Sequence, residues 1–414
     1  MIVYEAKAEA TKKQLIKVNE ALRTALFVRN SCLRYWMDGH AKTGYDLNKY
    51  TKVLSDNPEF PWVSKLNSSA RQAMAERAWA AISRFFDNCK KSRDAINRVS
   101  TGKKGFPRFR KLQTRASVEY KQSGWTVSEC RNYITFTDRF GIGTMKLRGT
   151  RDLNYYQVKQ IKRVRIVRRS DGIYVQFCID HERKEQLEPT GKSLALDLGL
   201  THFYTDSDGN KVENPRFLRK SEKALKKAQR RLSRCAKGSK NRAKARNRLG
   251  RKHLKLQRQR KDWCVKKALS LIKSADFVAY ENLQVRNMVK NHKLAKSISD
   301  ASWSIFTQWL EYFGKVYGRV VVAVSPAYTS IDCSNCGHQV DKTLSTRTHI
   351  CPNCSYTACR DLNASINILN KGLKLFKNTD GQSGIQHASG ESDLCLEKVT
   401  SFSKSSQRKR KISQ

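Results

Sequence analysis

The chain opens on apolar residues at helical spacing. Leu15, Val18, Leu22, Ala25 and Val28 follow a capping-box pattern at Thr11 and Gln14, which predicts a helix over 11–40. A second run, Ala70, Met74, Ala78, Ile82 and Phe85, starts at Ser69 and Gln72 and predicts a helix over 69–91. From 106 to 180 the pattern changes. The segments VEY, YITFTD, VKQIKRVRIV and IYVQFCID are rich in β-branched and aromatic residues, with Ser170, Asp171 and Gly172 as a turn, and they predict a small sheet or barrel. After the linker EPTGK (188–192), SLALDLGL reads as a buried strand and THFYTD as its antiparallel partner. FVAYEN and RVVVAVSP are further strands, 301–317 is a helix, and a helix from Asp361 to Gly372 follows a cysteine cluster. Its expected buried stripe is Leu362, Ile366, Leu369 and Leu373.

Charge changes the picture. Of 414 residues, 82 are Lys or Arg and 36 are Asp or Glu, a net charge of +46. Such an excess excludes a neutral metabolic enzyme as the default and points to a polyanionic partner, nucleic acid first. The excess peaks in 216–262, with 21 basic positions against the acids Glu222 and Asp262. Its thin apolar edge (Leu225, Leu232, Leu249, Leu254, Leu256) predicts paired helices around a turn near Gly238. No apolar run approaches the ~18 residues of a membrane span, and the N-terminus lacks a signal-peptide core, so a cytoplasmic location is expected, nucleoid-associated when bound to DNA. The Ser-, Gly- and Lys-rich segment from 379 onward, with its RKRK run, is expected to stay disordered.

The clearest chemistry is a pair of CxxC motifs. Cys333 and Cys336, then Cys351 and Cys354, are separated by 14 residues, with Gly337 after the first pair. Four thiolates so spaced suit a closed tetrahedral zinc site of structural role. Twelve cysteines are too few for a disulfide scaffold in a chain this long. Three acids also stand out. Alternation places Asp197 with Ala195 and Gly199 on the strand face opposite Leu194, Leu196 and Leu198. Glu281 ends the strand FVAYE, and Asp361 begins a helix. Carboxylates on two strand ends and a helix start are what a two-metal phosphodiesterase needs, with Mg²⁺ ions about 4 Å apart. Taken singly, each could equally be a surface group or a helix cap.

The order of these elements resembles the TnpB family: transposon-encoded, RNA-guided nucleases with a RuvC-type, RNase H-like domain, related to type V CRISPR effectors. SLALDLGL, a basic helical segment, FVAYENL, CxxC…CxxC and RDLNASINI carry the resemblance, with SISDASWSIF, SPAYTSIDCSNCG and GFPRFRK in support. It implies a multidomain α/β chain. Residues 1–10 would give the first strand of a wedge β-barrel, 11–104 a helical recognition domain and 105–189 the rest of the barrel. The nuclease domain would run from 190 to 326, with a zinc ribbon inserted at 327–358, and resume over 359–376 before a disordered basic tail, 377–414. It implies catalysis by Asp197, Glu281 and Asp361 holding Mg²⁺, and zinc on Cys333, Cys336, Cys351 and Cys354. Arg360 and Asn363 would contact the scissile phosphate or support the acid, with capping and packing as the plain alternative. Gln72 and Gln122 would read a short motif beside the target, and Arg108, Arg110 and Lys111 would contact nucleic acid. A solvent-facing glutamine and a strand-end amide are the plain alternatives for the first two.

The implied activity is cleavage of double-stranded DNA beside that motif by a monomer carrying a guide RNA from the transposon end, with no membrane involved. A nuclease-inactive RNA-guided repressor and a compact type V CRISPR effector are the alternatives.

Overall fold

A computed structural model describes residues 1–94, 105–111, 117–149, 152–343 and 346–380. The expected boundary at 104 and the tail from 381 lie outside the described residues. The chain divides into two units, Met1–Glu182 and Arg183–Gln414.

The first unit contains β1 (Ile2–Glu9), α1 (Lys12–Met37), α2 (Gly44–Asp56), α3 (Ser68–Asp94), β2 (Ser117–Tyr120), β3 (Trp125–Val127), β4 (Tyr133–Phe136), β5 (Gly143–Arg148), β6 (Ile161–Arg169) and β7 (Gly172–Ile179). Thr11 and Gln14 form the expected capping box at the start of α1. Helix α2 has no counterpart in the sequence reading, although Thr43 and Asp46 box its start and Leu47, Thr51 and Leu54 line its buried face. The seven strands form one sheet in the order β2-β6-β7-β1-β5-β4-β3. Strand β1 thus sits inside the sheet, antiparallel to both β5 and β7. The outermost strands, β2 and β3, are joined by only residues 121–124. Edges of a flat seven-stranded sheet would lie about 29 Å apart, whereas four residues bridge at most ~18 Å. The sheet must therefore curl to bring its edges together. Tyr120 on β2 donates to Asp138 beyond β4 at 2.6 Å, and its ring meets Phe136 at 5.2 Å.

The second unit contains β8 (Ser193–Leu198), β9 (His202–Asp206), β10 (Lys211–Glu213), α4 (Phe217–Arg234), α5 (Lys240–Ser274), β11 (Phe277–Glu281), α6 (Val285–Met288), α7 (Ala295–Ala301), α8 (Trp303–Tyr317), β12 (Val320–Val324), β13 (Thr348–Ile350), β14 (Thr357–Cys359) and α9 (Arg360–Asp380). Five strands form a mixed sheet in the order β10-β9-β8-β11-β12. Strand β11 is parallel to both β8 and β12, while β9 is antiparallel to β8 as its sequence implied. Leu194, Leu196 and Leu198 pack into a core with Ala268 of α5 and Phe306 and Leu310 of α8. The opposite face, Ala195, Phe277, Ala279 and Val324, meets Ile368 of α9.

The buried face of α9 differs from the expected leucine stripe. Leu362, Ile366, Leu369 and Leu373 are half-buried, and Asn363, Ala364, Ser365, Asn367 and Ile368 are the buried positions. The reason is close approach: a Cβ on Gly372 would stand 2.7 Å from the Ala279 Cβ. A helix this near a sheet favours small residues and well-partnered amides over large apolar ones.

The basic helices form the expected hairpin around Gly238, whose φ is 85°. Leu225, Ala228, Leu249 and Leu256 hold α4 against α5. Arg242 donates to the carbonyls of Leu232 and Cys235, satisfying the end of α4. The start of α4 is capped from a distance: the Asp300 carboxylate accepts the Leu218 N–H at 2.9 Å and pairs with Arg260 of α5 at 2.7 Å. The hairpin leaves a basic groove of about 960 Å³, lined by Lys223, Lys227, Arg231, Arg234, Arg248 and Lys252 among others.

Candidate active site

Parallel strands bring distant acids to one edge of the sheet. Leu196 of β8 is in register with Tyr280 of β11, so Asp197 and Glu281 are the next positions on adjacent strands. Both lie two residues beyond alanines in register, Ala195 and Ala279, which face α9. The chain turns back immediately after β8, where a Cβ on Gly199 would stand 2.9 Å from the His202 carbonyl oxygen. Asp361 occupies the first turn of α9, where the helix dipole favours a negative charge. Arg360 stands 3.5 Å from its carboxylate.

The electrostatics single out Asp197 as the shared member. Burial raises its carboxyl well above the ordinary carboxylate range, and the charges of Glu281 and Asp361 add to the rise, against a smaller opposing pull from Arg360. Burial also raises Glu281, against a hydrogen bond from Thr329 and the charge of Lys371. Thr329 donates to Glu281 Oε1 at 2.6 Å. One buried and two half-buried acids whose charges repel form a donor set suited to a hard cation, which would relieve the repulsion. Among the described residues, the only group of three or more His, Cys, Asp or Glu ligand atoms lying within 4.8 Å of one another is the cysteine cluster. Two ions about 4 Å apart span a wider set of carboxylates.

That cysteine cluster contains all four predicted residues. Cys333 and Cys354 sulfurs are 3.7 Å apart, and those of Cys336 and Cys351 are 3.6 Å apart. A tetrahedron with 2.3 Å Zn–S bonds has edges of about 3.8 Å, so the set fits zinc. Two matching turns build it. Cys333 N–H donates to the His338 carbonyl and Gly337 N–H to the Cys333 carbonyl; Cys351 donates to Tyr356 and Ser355 to Cys351 in the same way. Gly337 and Ser355 take the left-handed backbone these turns need. Side-chain amides of Asn335 and Asn353 donate to the sulfurs of Cys354 and Cys336 at 3.6 Å. The His338 N–H and the Asn353 amide lower the Cys336 thiol to about 6, favouring the thiolate that binds metal. Burial pushes Cys333 up to about 11.

Asn363 is fully buried. It accepts the Ser334 N–H at 2.9 Å and donates to the Asp332 carbonyl at 2.8 Å. Both ends of its amide are thus engaged by the ribbon's first turn, which makes it a clamp rather than a phosphate contact. Sequence reading missed Thr329, Asn367 and Lys371. Asn363, Asn367 and Lys371 stand at i, i+4 and i+8 on α9, a polar row beside the apolar one that marks a face with something polar to hold.

In the first unit, Gln72 and Gln122 are both exposed. Ser69 Oγ donates to the Ser123 carbonyl at 2.9 Å. Gln72 lies one turn beyond Ser69 on α3 and Gln122 is adjacent to Ser123, so this hydrogen bond brings their two segments together. Arg108, Arg110 and Lys111 are exposed as well. Their segment is fastened to α1, where Asn30 donates to the Arg110 carbonyl at 2.9 Å and accepts its N–H at 3.1 Å, and Arg29 donates to the Arg108 carbonyl at 3.0 Å.

Comparisons with known proteins agree with this architecture. Residues 176–292 match the OrfB_IS605 family, described as "Probable transposase", and 303–368 match the "Cas12f1-like, TNB domain" family. A Streptomyces pristinaespiralis protein named "Putative RNA-guided DNA endonuclease" is 31% identical over 326 residues, 78% of this chain and 76% of its own. "TnpB-like protein L79" of Acanthamoeba polyphaga mimivirus is 33% identical over 142 residues, 33% of this chain and 27% of its own. Among solved structures, the "mini-RNA-guided endonuclease CRISPR-Cas_phi3" aligns with a TM-score of 0.53 at 8% identity, covering 90% of this chain and 92% of that one, and so shares its fold. No helix among the described residues is long and apolar enough to cross a membrane. With a relative of that identity matched along three-quarters of both lengths, this chain belongs to the TnpB family.

Proposed function

We infer that this chain is an RNA-guided DNA endonuclease that hydrolyses phosphodiester bonds in double-stranded DNA beside a short target-adjacent motif. The observation that carries the reading is the approach of Asp197, Glu281 and Asp361, from three separate stretches of chain, to one edge of a sheet where their charges are felt together. Asp197 and Glu281 on the strand ends and Asp361 on α9 hold divalent ions. Bound Mg²⁺ would supply activation of water and stabilisation of charge at the leaving oxygen. The protein's own part is to present carboxylate oxygens from rigid elements, with Arg360 offering positive charge beside Asp361.

The curled sheet is the wedge barrel, with β1 contributed by residues 1–10, and helices α1 to α3 are the recognition lobe. Gln72 and Gln122 read the target-adjacent motif, while Arg108, Arg110 and Lys111 hold the nucleic-acid backbone. Guide pairing reads the remaining sequence, and the protein reads backbone and shape. The basic α4–α5 groove suits that task, because phosphate contacts supply affinity without sequence preference. The guide RNA comes from the end of the transposon that encodes the chain. All three acids are present, so the nuclease-inactive alternative has no support.

The test is plasmid cleavage by the protein purified with its co-expressed RNA. Asp197→Ala and Glu281→Ala are each expected to lower the rate by about three orders of magnitude or more, the several kcal/mol a metal-holding acid contributes. Guided binding of the same target, read by gel shift, should persist. Cutting at the wild-type rate by either variant would overturn the assignment.

A further inference from the structure

Thr329 lies between the last strand of the sheet and the zinc ribbon, and its side chain is directed inward. It is 3% exposed, and Glu281 is 7% exposed. Its hydroxyl has one proton and two acceptors within reach, Glu281 Oε1 at 2.6 Å and the Pro326 carbonyl at 3.1 Å. The shorter contact, to a carboxylate oxygen, is the stronger one.

One side chain of α9 holds the Thr329 backbone directly, and two more hold the residues on either side of it. Asn367, itself buried, donates to the carbonyls of Thr329 at 2.9 Å and Asp332 at 2.7 Å. Asn363 holds Asp332 and Ser334 from one turn earlier. Lys371, one turn later, donates to the Ala327 carbonyl at 2.6 Å. The residue before Thr329, Tyr328, is held in the left-handed region at φ 64°, which an ordinary side chain occupies only when its surroundings impose it.

If Glu281 holds metal as inferred above, then we propose that Thr329 is its positioning residue. Its hydroxyl fixes the orientation of the Glu281 carboxylate toward Asp197, and α9 fixes Thr329. Glu281 is the last residue of its strand, and the Thr329 hydroxyl is a donor that freezes its side-chain torsions before an ion arrives. Partners that orient a metal-holding side chain typically contribute 10–100-fold in metal affinity or activity. Because α9 also carries Asp361, one helix sets two of the three acids, one directly and one through Thr329.

The experiment uses the full-length, zinc-loaded protein with Mn²⁺ as a spin probe, free Mn²⁺ being read by electron paramagnetic resonance. Wild type, Asp197→Ala, Thr329→Val and Thr329→Ser are compared. Valine keeps the shape and removes the hydroxyl; serine keeps the hydroxyl. Thr329→Val is expected to raise the Mn²⁺ Kd by about 10-fold or more, and the Mg²⁺ needed for half-maximal guided cleavage by a similar factor. Zinc content and melting temperature should stay at wild-type values, and Thr329→Ser should restore both readouts.

If Asp197→Ala weakens Mn²⁺ binding and Thr329→Val does not, the positioning role is overturned and the active-site reading stands. If neither does, the acids do not hold metal and both fall together. If serine fails to rescue, Thr329 acts through packing and the proposal is overturned. Should the valine variant not fold, Thr329→Ala is judged by the same Mn²⁺ criterion.

Discussion

Glu119 in the first unit and Asp197 in the second are both carboxylates set among apolar strand residues, and their surroundings are opposite. Glu119 is 3% exposed and receives Arg77 at 2.6 Å, Arg163 at 2.8 Å and Arg165 at 2.6 Å. Burial alone would raise its carboxyl, but the three guanidiniums outweigh burial and hold it down to about 2. Asp197 has two acids and one arginine of smaller effect for company, and its carboxyl is driven upward. In a chain carrying +46, cations were available for both. A carboxylate saturated with arginines serves stability, whereas one surrounded by its own kind is poised to take up a proton or an external cation.

The sharpest way to break this contrast is to neutralise Glu119. Glu119→Gln leaves Arg77 and its neighbours with uncompensated charge in a partly buried site, so chemical denaturation should show a loss of about 3–5 kcal/mol. A loss below ~1 kcal/mol would mean that the arginines find water or other partners. Next in size is the acid dependence. Because the folded-state value is depressed from 4.5 to about 2, the stabilisation is complete above pH 4.5 and disappears as pH falls through about 2. The loss over that window is about 3 kcal/mol, and it should be absent from Glu119→Gln when both are titrated by circular dichroism. The smallest effect has the opposite sign. Asp197→Asn removes one of the repelling charges without changing shape, so in Mg²⁺-free buffer it should stabilise by about 1 kcal/mol. Added Mg²⁺ should narrow that gap by favouring the wild type. An Asn variant less stable than wild type without metal would show that Asp197 has favourable partners after all.

Local pattern was a good guide where one element could be read by itself. The capping box at Thr11, the strand SLALDLGL and the basic hairpin around Gly238 stand where periodicity and turn chemistry put them. Helix α2 escaped because its apolar positions, Leu47 and Leu54 around Thr51, are few, although Thr43 and Asp46 marked its start. Strand β3, of three residues, is too short to alternate visibly, whereas β5 does alternate, with Met145 and Leu147 buried between exposed Thr144, Lys146 and Arg148. The error on α9 is more instructive. A leucine stripe is the ordinary sign of a buried face, but close packing at Gly372 gave that face to alanine, serine, asparagine and the single large apolar Ile368.

The four cysteines and the three acids were visible because thiolate spacing, isolated charges in apolar strands and an acid at a helix start are local features of a linear chain. Their order along the polypeptide also sufficed to suggest a family. What the linear chain could not contain is distance. Asp197 meets Glu281 only because β8 and β11 run parallel and in register, and Glu281 meets Thr329 only because α9 fastens the connecting turn from the other side. Parallel neighbours and a helix packed across them are joined by long stretches of intervening chain. Their meeting is decided by burial of the sheet's two faces, a cooperative property of the whole unit that no window of sequence carries.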